Sequence, residues 1–134
     1  MYIIKVSEMI GFWFFMLLMD LLIPSIMIGS GRLFITSPPK EINNSFGYKT
    51  SMSMKNKDTW EFAHKLCGKL WFIGGLILLP LSILPLIPML GKSIDMIAYT
   101  GLIVSVVQIV LFIGSILPIE AALKKKFDQN GHRR

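Results

Sequence analysis

The residues with the chemistry to form a site lie in otherwise apolar surroundings. Asp20 is the one charge within residues 9–29, and Gln108 and Ser82 stand inside residues 96–119 and 70–90, which carry no charge. Counting inward from the helix ends beside the short GKSID loop places Asp20 and Gln108 at nearly the same depth, with Ser82 slightly closer to that loop. A lone carboxylate in hydrocarbon costs at least about 2.5–3.5 kcal/mol, so Asp20 needs partners or a proton. A cluster of Asp20, Gln108 and Ser82 is therefore expected inside the molecule. It would serve either as a proton or ligand site or as hydrogen bonding that fixes helix packing. Conventional catalytic patterns are missing: the chain has no H-E-x-x-H, P-loop or G-x-S-x-G. His64 and Cys67 are three residues apart but lack a third ligand, so neither a metal nor a cofactor is expected. His64 is expected to be a solvated interfacial residue, and Asp95 and Glu120 to mark helix boundaries. No enzyme is expected.

The elements that must position these residues follow from hydropathy. The chain has 134 residues, 53% of them hydrophobic, and a mean hydropathy of +0.61, too apolar for a soluble domain of this size. Residues 9–29, 70–90 and 96–119 each reach the roughly 20 residues needed to cross a bilayer core about 30 Å thick. Backbone groups in lipid must bond internally, and the runs are continuous rather than alternating, so helices are expected and a β-barrel is not. The start MYIIKVSE lacks a basic region and no A-x-A-like site follows, so cleavage as a signal peptide is not expected. Tyr2 stands where myristoylation would need glycine, and no CaaX terminus is present. The lone Cys67 allows no intramolecular disulfide.

Charge then orients the spans. Arg32, Lys40, Lys49, Lys55, Lys57, Lys65 and Lys69 lie between the first two runs, and Lys124, Lys125, Lys126, Arg133 and Arg134 follow the third. Only Lys5 and Lys92 fall on the other side. The positive-inside rule gives N-terminus out and C-terminus in. The basic residues flank helices, where they anchor topology and meet anionic lipid, so direct nucleic-acid binding is not expected despite the +6 net charge.

The architecture expected is an all-α integral membrane protein in a single domain, residues 1–134. Spans 9–29, 70–90 and 96–119 are joined by a cytosolic loop 30–69 and followed by a cytosolic tail 120–134. Asp58 and Glu61 read as a capping box, so helix two is expected to begin near residue 58, in the cytosol. Pro80, Pro85 and Pro88 predict a kinked or broken outer half of that helix. Gly74, Gly75, Gly101, Ser105, Gly114 and Ser115 suit close helix contact. Trp13 and Trp71 suit an aromatic belt, and the ending DQNGHRR is expected to fray. Tyr48 and Trp60 sit among basic and amide side chains in an unusually long loop. They would either form a binding surface or dock on the bundle's own inner face or on lipid headgroups.

The string PPKEINNSFGYKTSMSMKNKDTWEFAHKLCGKLW resembles the signature segment of the SdpI-like membrane proteins, a family named for immunity to a bacterial sporulation-delaying toxin. The matching positions are Pro38-Pro39, Ile42-Asn43, Gly47-Tyr48-Lys49-Thr50, Ser51 or Ser53, and Trp60 with Ala63. The ending also resembles the family's through Glu120, Leu123, Phe127, Asp128 and Gly131. Lys49 stands where the pattern has arginine, which keeps the charge and loses the planar fork. The founding immunity protein resembles this three-helix module with further helices ahead of it.

The resemblance implies a multi-pass protein of the bacterial plasma membrane that acts by binding. It would give immunity to a membrane-active peptide toxin, or hold a cytosolic repressor-like regulator at the membrane, or both. Pro39, Asn43, Gly47, Tyr48, Lys49, Thr50, Ser53 and Trp60 are the motif positions, with Tyr48, Lys49, Thr50 and Trp60 the expected contact surface. The rival expectation is an oligomeric transporter or channel subunit using Asp20 and Gln108.

Overall fold

The protein is described by a computed structural model covering residues 2–134. Helix α1 runs Tyr2–Thr36 and α2 runs Lys57–Ile83, continuing as a 3-10 segment, Leu84–Met89. Helix α3, Ile94–Gly114, leads into α4, Ile116–Lys126. Three helical stretches, Tyr2–Thr36, Lys57–Met89 and Ile94–Lys126, are long and apolar enough to cross a membrane. The helices reach past the apolar runs, so within the connection 30–69 the irregular part is residues 37–56. Helix formation continues until a local signal stops it. Here Pro38 and Pro39 follow the end of α1, and the residue before a proline is pushed out of the α region.

Prolines shape the rest. Pro85 and Pro88 lack the N–H an α-helix needs, and α2 tightens there into the 3-10 segment. The Leu86 carbonyl in that segment accepts the Trp13 indole N–H at 2.6 Å. Trp13, expected at a lipid interface, is thus a buried strut between α1 and the end of helix two. Pro118 would clash with the carbonyl four residues back in an uninterrupted helix, and the third helical stretch is interrupted at Ser115, between α3 and α4. The Ser115 hydroxyl is held there by accepting from Trp71 Nε1 at 3.0 Å and donating to the Phe112 carbonyl at 2.6 Å.

Helices α1 and α2 pack most extensively. Their crossing is built on Gly31, Gly68 and Gly75. A Cβ at Gly31 would collide with the Phe72 backbone, one at Gly68 would lie 2.9 Å from the Gly31 carbonyl, and one at Gly75 would lie 2.9 Å from the Pro24 carbonyl. Gly101 accepts the Met16 side chain in the same way. Gly74 and Gly114 do not carry a tight crossing: a Cβ at Gly74 would make an ordinary 3.5 Å contact and one at Gly114 would meet nothing within 4 Å.

Two apolar clusters lie at opposite ends. Trp13, Met16, Leu86 and Ile97 close the hairpin end, while Phe34, Tyr48, Ala63, Cys67, Ile119, Leu123 and Phe127 close the end carrying the loop and tail. Large apolar side chains along all three spans face outward, as lipid contact requires.

Candidate functional site

The loop folds onto the first turns of α2. Asn56 caps the helix: its side-chain oxygen accepts from Thr59 N at 2.9 Å, and Thr59 Oγ1 accepts from Asn56 N at 3.1 Å. The reciprocal cap is therefore Asn56 with Thr59, two residues ahead of the expected Asp58–Glu61 pair. Asp58 instead receives both the Nε and the NH2 nitrogen of Arg133 at 2.7 Å.

Trp60 is fully buried, and its indole N–H donates to the Pro39 carbonyl at 2.7 Å. One turn later, His64 is also fully buried rather than solvated. Its Nε2 accepts the Tyr48 backbone N–H at 2.9 Å, so the proton sits on Nδ1, which faces the Trp60 carbonyl at 2.8 Å. Gly47 is pressed against this pair with φ +125°, and a Cβ there would lie 2.7 Å from His64 Nε2. Tyr48 is 5% exposed and its hydroxyl donates to Glu120 at 2.7 Å. Burial, and then the Glu120 carboxylate, push the phenol above its ordinary pKa. Glu120 thus does more than mark a helix boundary.

Thr50 and Ser53 close a tight turn. Thr50 N donates to Ser53 Oγ at 2.9 Å, Ser53 N to Thr50 Oγ1 at 3.1 Å, and Ser53 Oγ to the Tyr48 carbonyl at 2.9 Å. Asn43 accepts from the backbone of Ser45 at 3.0 Å and Phe46 at 2.7 Å, an Asx turn. Lys49 is exposed and reaches the Asn44 carbonyl at 2.7 Å.

The motif therefore comes together, but facing inward. Of Tyr48, Lys49, Thr50 and Trp60, only Lys49 is exposed, and Tyr48 and Trp60 cannot form a contact surface. Their rings fill space between loop and helix, and their polar tips find partners inside the chain, which is the lower-energy place for large amphipathic side chains.

The tail is ordered against this assembly rather than frayed. Phe127 is fully buried, Asn56 Nδ2 donates to the Gly131 carbonyl at 2.8 Å, and Arg133 pairs with Asp58. Asp128 accepts the His132 and Asn130 backbone N–H groups at 2.9 Å each, and these hold its carboxyl below the usual range.

At mid-span the structure brings Asp20, Ser82 and Gln108 together, all at most 1% exposed. Gln108 Nε2 donates to Ser82 Oγ at 2.7 Å and to the Asp20 backbone carbonyl at 2.6 Å. Pro24 explains the second bond. It lies four residues after Asp20 in α1 and has no N–H, so the Asp20 carbonyl lacks its helical donor and Gln108 supplies one. Ser105 joins the cluster by donating to Asp20 Oδ1 at 2.7 Å, while Oδ2 has no partner among the described residues.

Beside the cluster, α2 and α3 part to leave a groove of about 310 Å³ open to the lipid side. Leu78, Pro85, Ile103 and Val107 make its walls apolar, with Ser82 and Gln108 among the lining residues.

The family described as the SdpI/YfhL protein family matches residues 40–119. The uncharacterised protein YfhL of Bacillus subtilis (strain 168) is 34% identical over 59 residues, which cover 44% of this chain and 54% of that relative. The match thus spans about half of the relative's length. No solved structure matches the chain.

Proposed function

This chain belongs to the SdpI/YfhL protein family, and from that membership we propose that it is a small binding protein of the bacterial plasma membrane conferring immunity to a membrane-active peptide toxin. Its N-terminus lies outside and its loop and tail lie in the cytosol, following the excess of basic residues at the loop end. Contacts between loop and tail support that shared side. The toxin is met within the bilayer, and the soluble end holds a regulator of the cell's response.

The observation that carries the immunity reading is the groove between α2 and α3. It has room for a few side chains of a membrane-inserted peptide, and Ser82 and Gln108 give it a polar point at half depth. Apolar matching alone gives no preference for protein over lipid inside a bilayer; van der Waals fit and a hydrogen bond supply one. Captured this way, a peptide is removed from the lipid phase where it would assemble.

The test is growth of a toxin-sensitive bacterium expressing the chain, challenged with the sporulation-delaying toxin and other membrane-active peptides. Protection is expected, and Val107→Trp, which fills the groove, abolishes it at unchanged expression and insertion. No protection by a correctly inserted chain would sink the immunity reading.

A further inference from the structure

The inward-facing motif leaves a different surface for a soluble partner. On the outer side of the first turns of α2, a groove of about 330 Å³ runs between the helix and the Pro38–Pro39 strap, lined by Lys40, Lys57, Glu61 and Lys65. Its wall is fixed, because the Pro39 carbonyl is bound by the buried Trp60 indole. Its floor is one helix face, since Lys57, Glu61 and Lys65 recur every four residues. Among the described residues the two ion pairs are Arg133–Asp58 and His132–Asp128, so none of the three lysines is neutralised by a salt bridge.

We propose that this groove binds an acidic segment of a soluble protein, its carboxylates meeting Lys40, Lys57 and Lys65. The proposal rests on the regulator-holding part of the function above and names the surface for it. Three features select this occupant. The lining carries three positive charges against one negative, which complements an acidic chain. Lys57 precedes Leu70, where the apolar run begins, by thirteen residues, about 20 Å of helix at 1.5 Å per residue. Headgroups occupy only roughly 5–8 Å beyond the hydrocarbon, so lipid reaches Lys65 and Lys69 but leaves Lys57 free. Finally, Glu61 lies centrally on the floor, where it repels a phosphate backbone but accepts an N–H from a peptide running between the lysines.

The probe is a fluorescein-labelled peptide of ten residues alternating Glu with Ser or Ala, titrated by anisotropy with the full chain in uncharged nanodiscs. Two charge-reversed variants are compared: Lys40→Glu/Lys57→Glu/Lys65→Glu in the groove, and Lys124→Glu/Lys125→Glu/Lys126→Glu on α4, with the same change in net charge. All six lysines are at least partly exposed, and helical circular dichroism reports whether each variant is folded. The groove variant should bind at least about tenfold more weakly, and the α4 variant less than about threefold more weakly, at roughly 0.15 M salt. Equal losses would overturn the proposal in favour of diffuse charge attraction. Tighter binding of duplex DNA, or of vesicles containing phosphatidylglycerol, would overturn it in favour of those partners.

Transcription in the native cell separates the proposal from the reading it rests on. If deleting the chain changes transcript levels and the groove variant reproduces the change, both stand. A change on deletion that the groove variant fails to reproduce overturns the groove and leaves the regulator reading. If deletion changes nothing while the peptide still binds in the groove, the groove stands and the regulator reading falls.

Discussion

At the scale of single residues, the family motif is a folding device. Gly47 shows why. Its φ of +125° is open to glycine, and any Cβ would press on His64 Nε2, which must stay clear to accept the Tyr48 N–H. Gly47→Ala is expected to cost more than about 1–2 kcal/mol, read as a lower denaturation midpoint in detergent together with a shift in Trp60 fluorescence. Tyr48→Phe removes only the bond to Glu120 and should cost about 1 kcal/mol. It also has a pH signature. The folded state holds the Tyr48 phenol above its ordinary pKa of about 10, so its stabilisation is complete below that value and is lost as pH rises above it. Unfolding midpoints followed from neutral to alkaline pH should fall less steeply in Tyr48→Phe than in the parent. The sequence shows these residues at motif spacing, but not which way they face. Trp60 and Tyr48 are bonded to the Pro39 carbonyl and to Glu120, which lie far from them along the chain. His64 looked solvated for the same reason: its partners are backbone groups, which leave no trace in side-chain identity.

At the scale of elements, proline and glycine decide where helices bend and meet. Three long helices and a disturbed C-terminal end of α2 follow from hydropathy and the positions of Pro80, Pro85 and Pro88. The depth match of Asp20 with Gln108 is also legible by counting, but the reason for it lies in Pro24, whose position four residues after Asp20 was available in the sequence. Gln108→Leu should therefore cost about 1–2 kcal/mol, the loss of two interhelical bonds. Pro24→Ala restores the helical donor to the Asp20 carbonyl, so Gln108→Leu should cost less in that background. A double-mutant cycle measured by unfolding in detergent checks this, and strict additivity would show that Gln108 does not serve the proline gap. The α1–α2 crossing gives a sharper contrast. Gly31→Ala forces the helices apart, whereas Gly114→Ala meets empty space. The first should weaken the packing measurably, and the second should leave it unchanged within about 0.5 kcal/mol.

At the scale of the whole molecule, the loop and the tail form one body at one end of the helices. Tyr48–Glu120, Asn56–Gly131 and Asp58–Arg133 are its ties. The tail looked free to fray because its composition is polar and turn-forming; the anchoring comes from Phe127, buried beside Phe62, and from donors far upstream. A body tied in this way must lie on one side of the bilayer, and the charge balance selects which. Lys92 stands in the short connection at the opposite end, so the proposed orientation makes it extracellular and the tail cytosolic. Cysteine labelling tests this without a background, since Cys67 is fully buried and is the chain's only cysteine. An impermeant maleimide applied to intact cells should label Lys92→Cys at once and Gln129→Cys only after lysis. The reverse pattern would place the body outside, turning the basic groove of α2 toward the medium. Equal labelling of both before lysis would mean the spans do not cross as a fixed three-helix unit, and the common origin of the charge bias and the loop–tail ties would have to be abandoned.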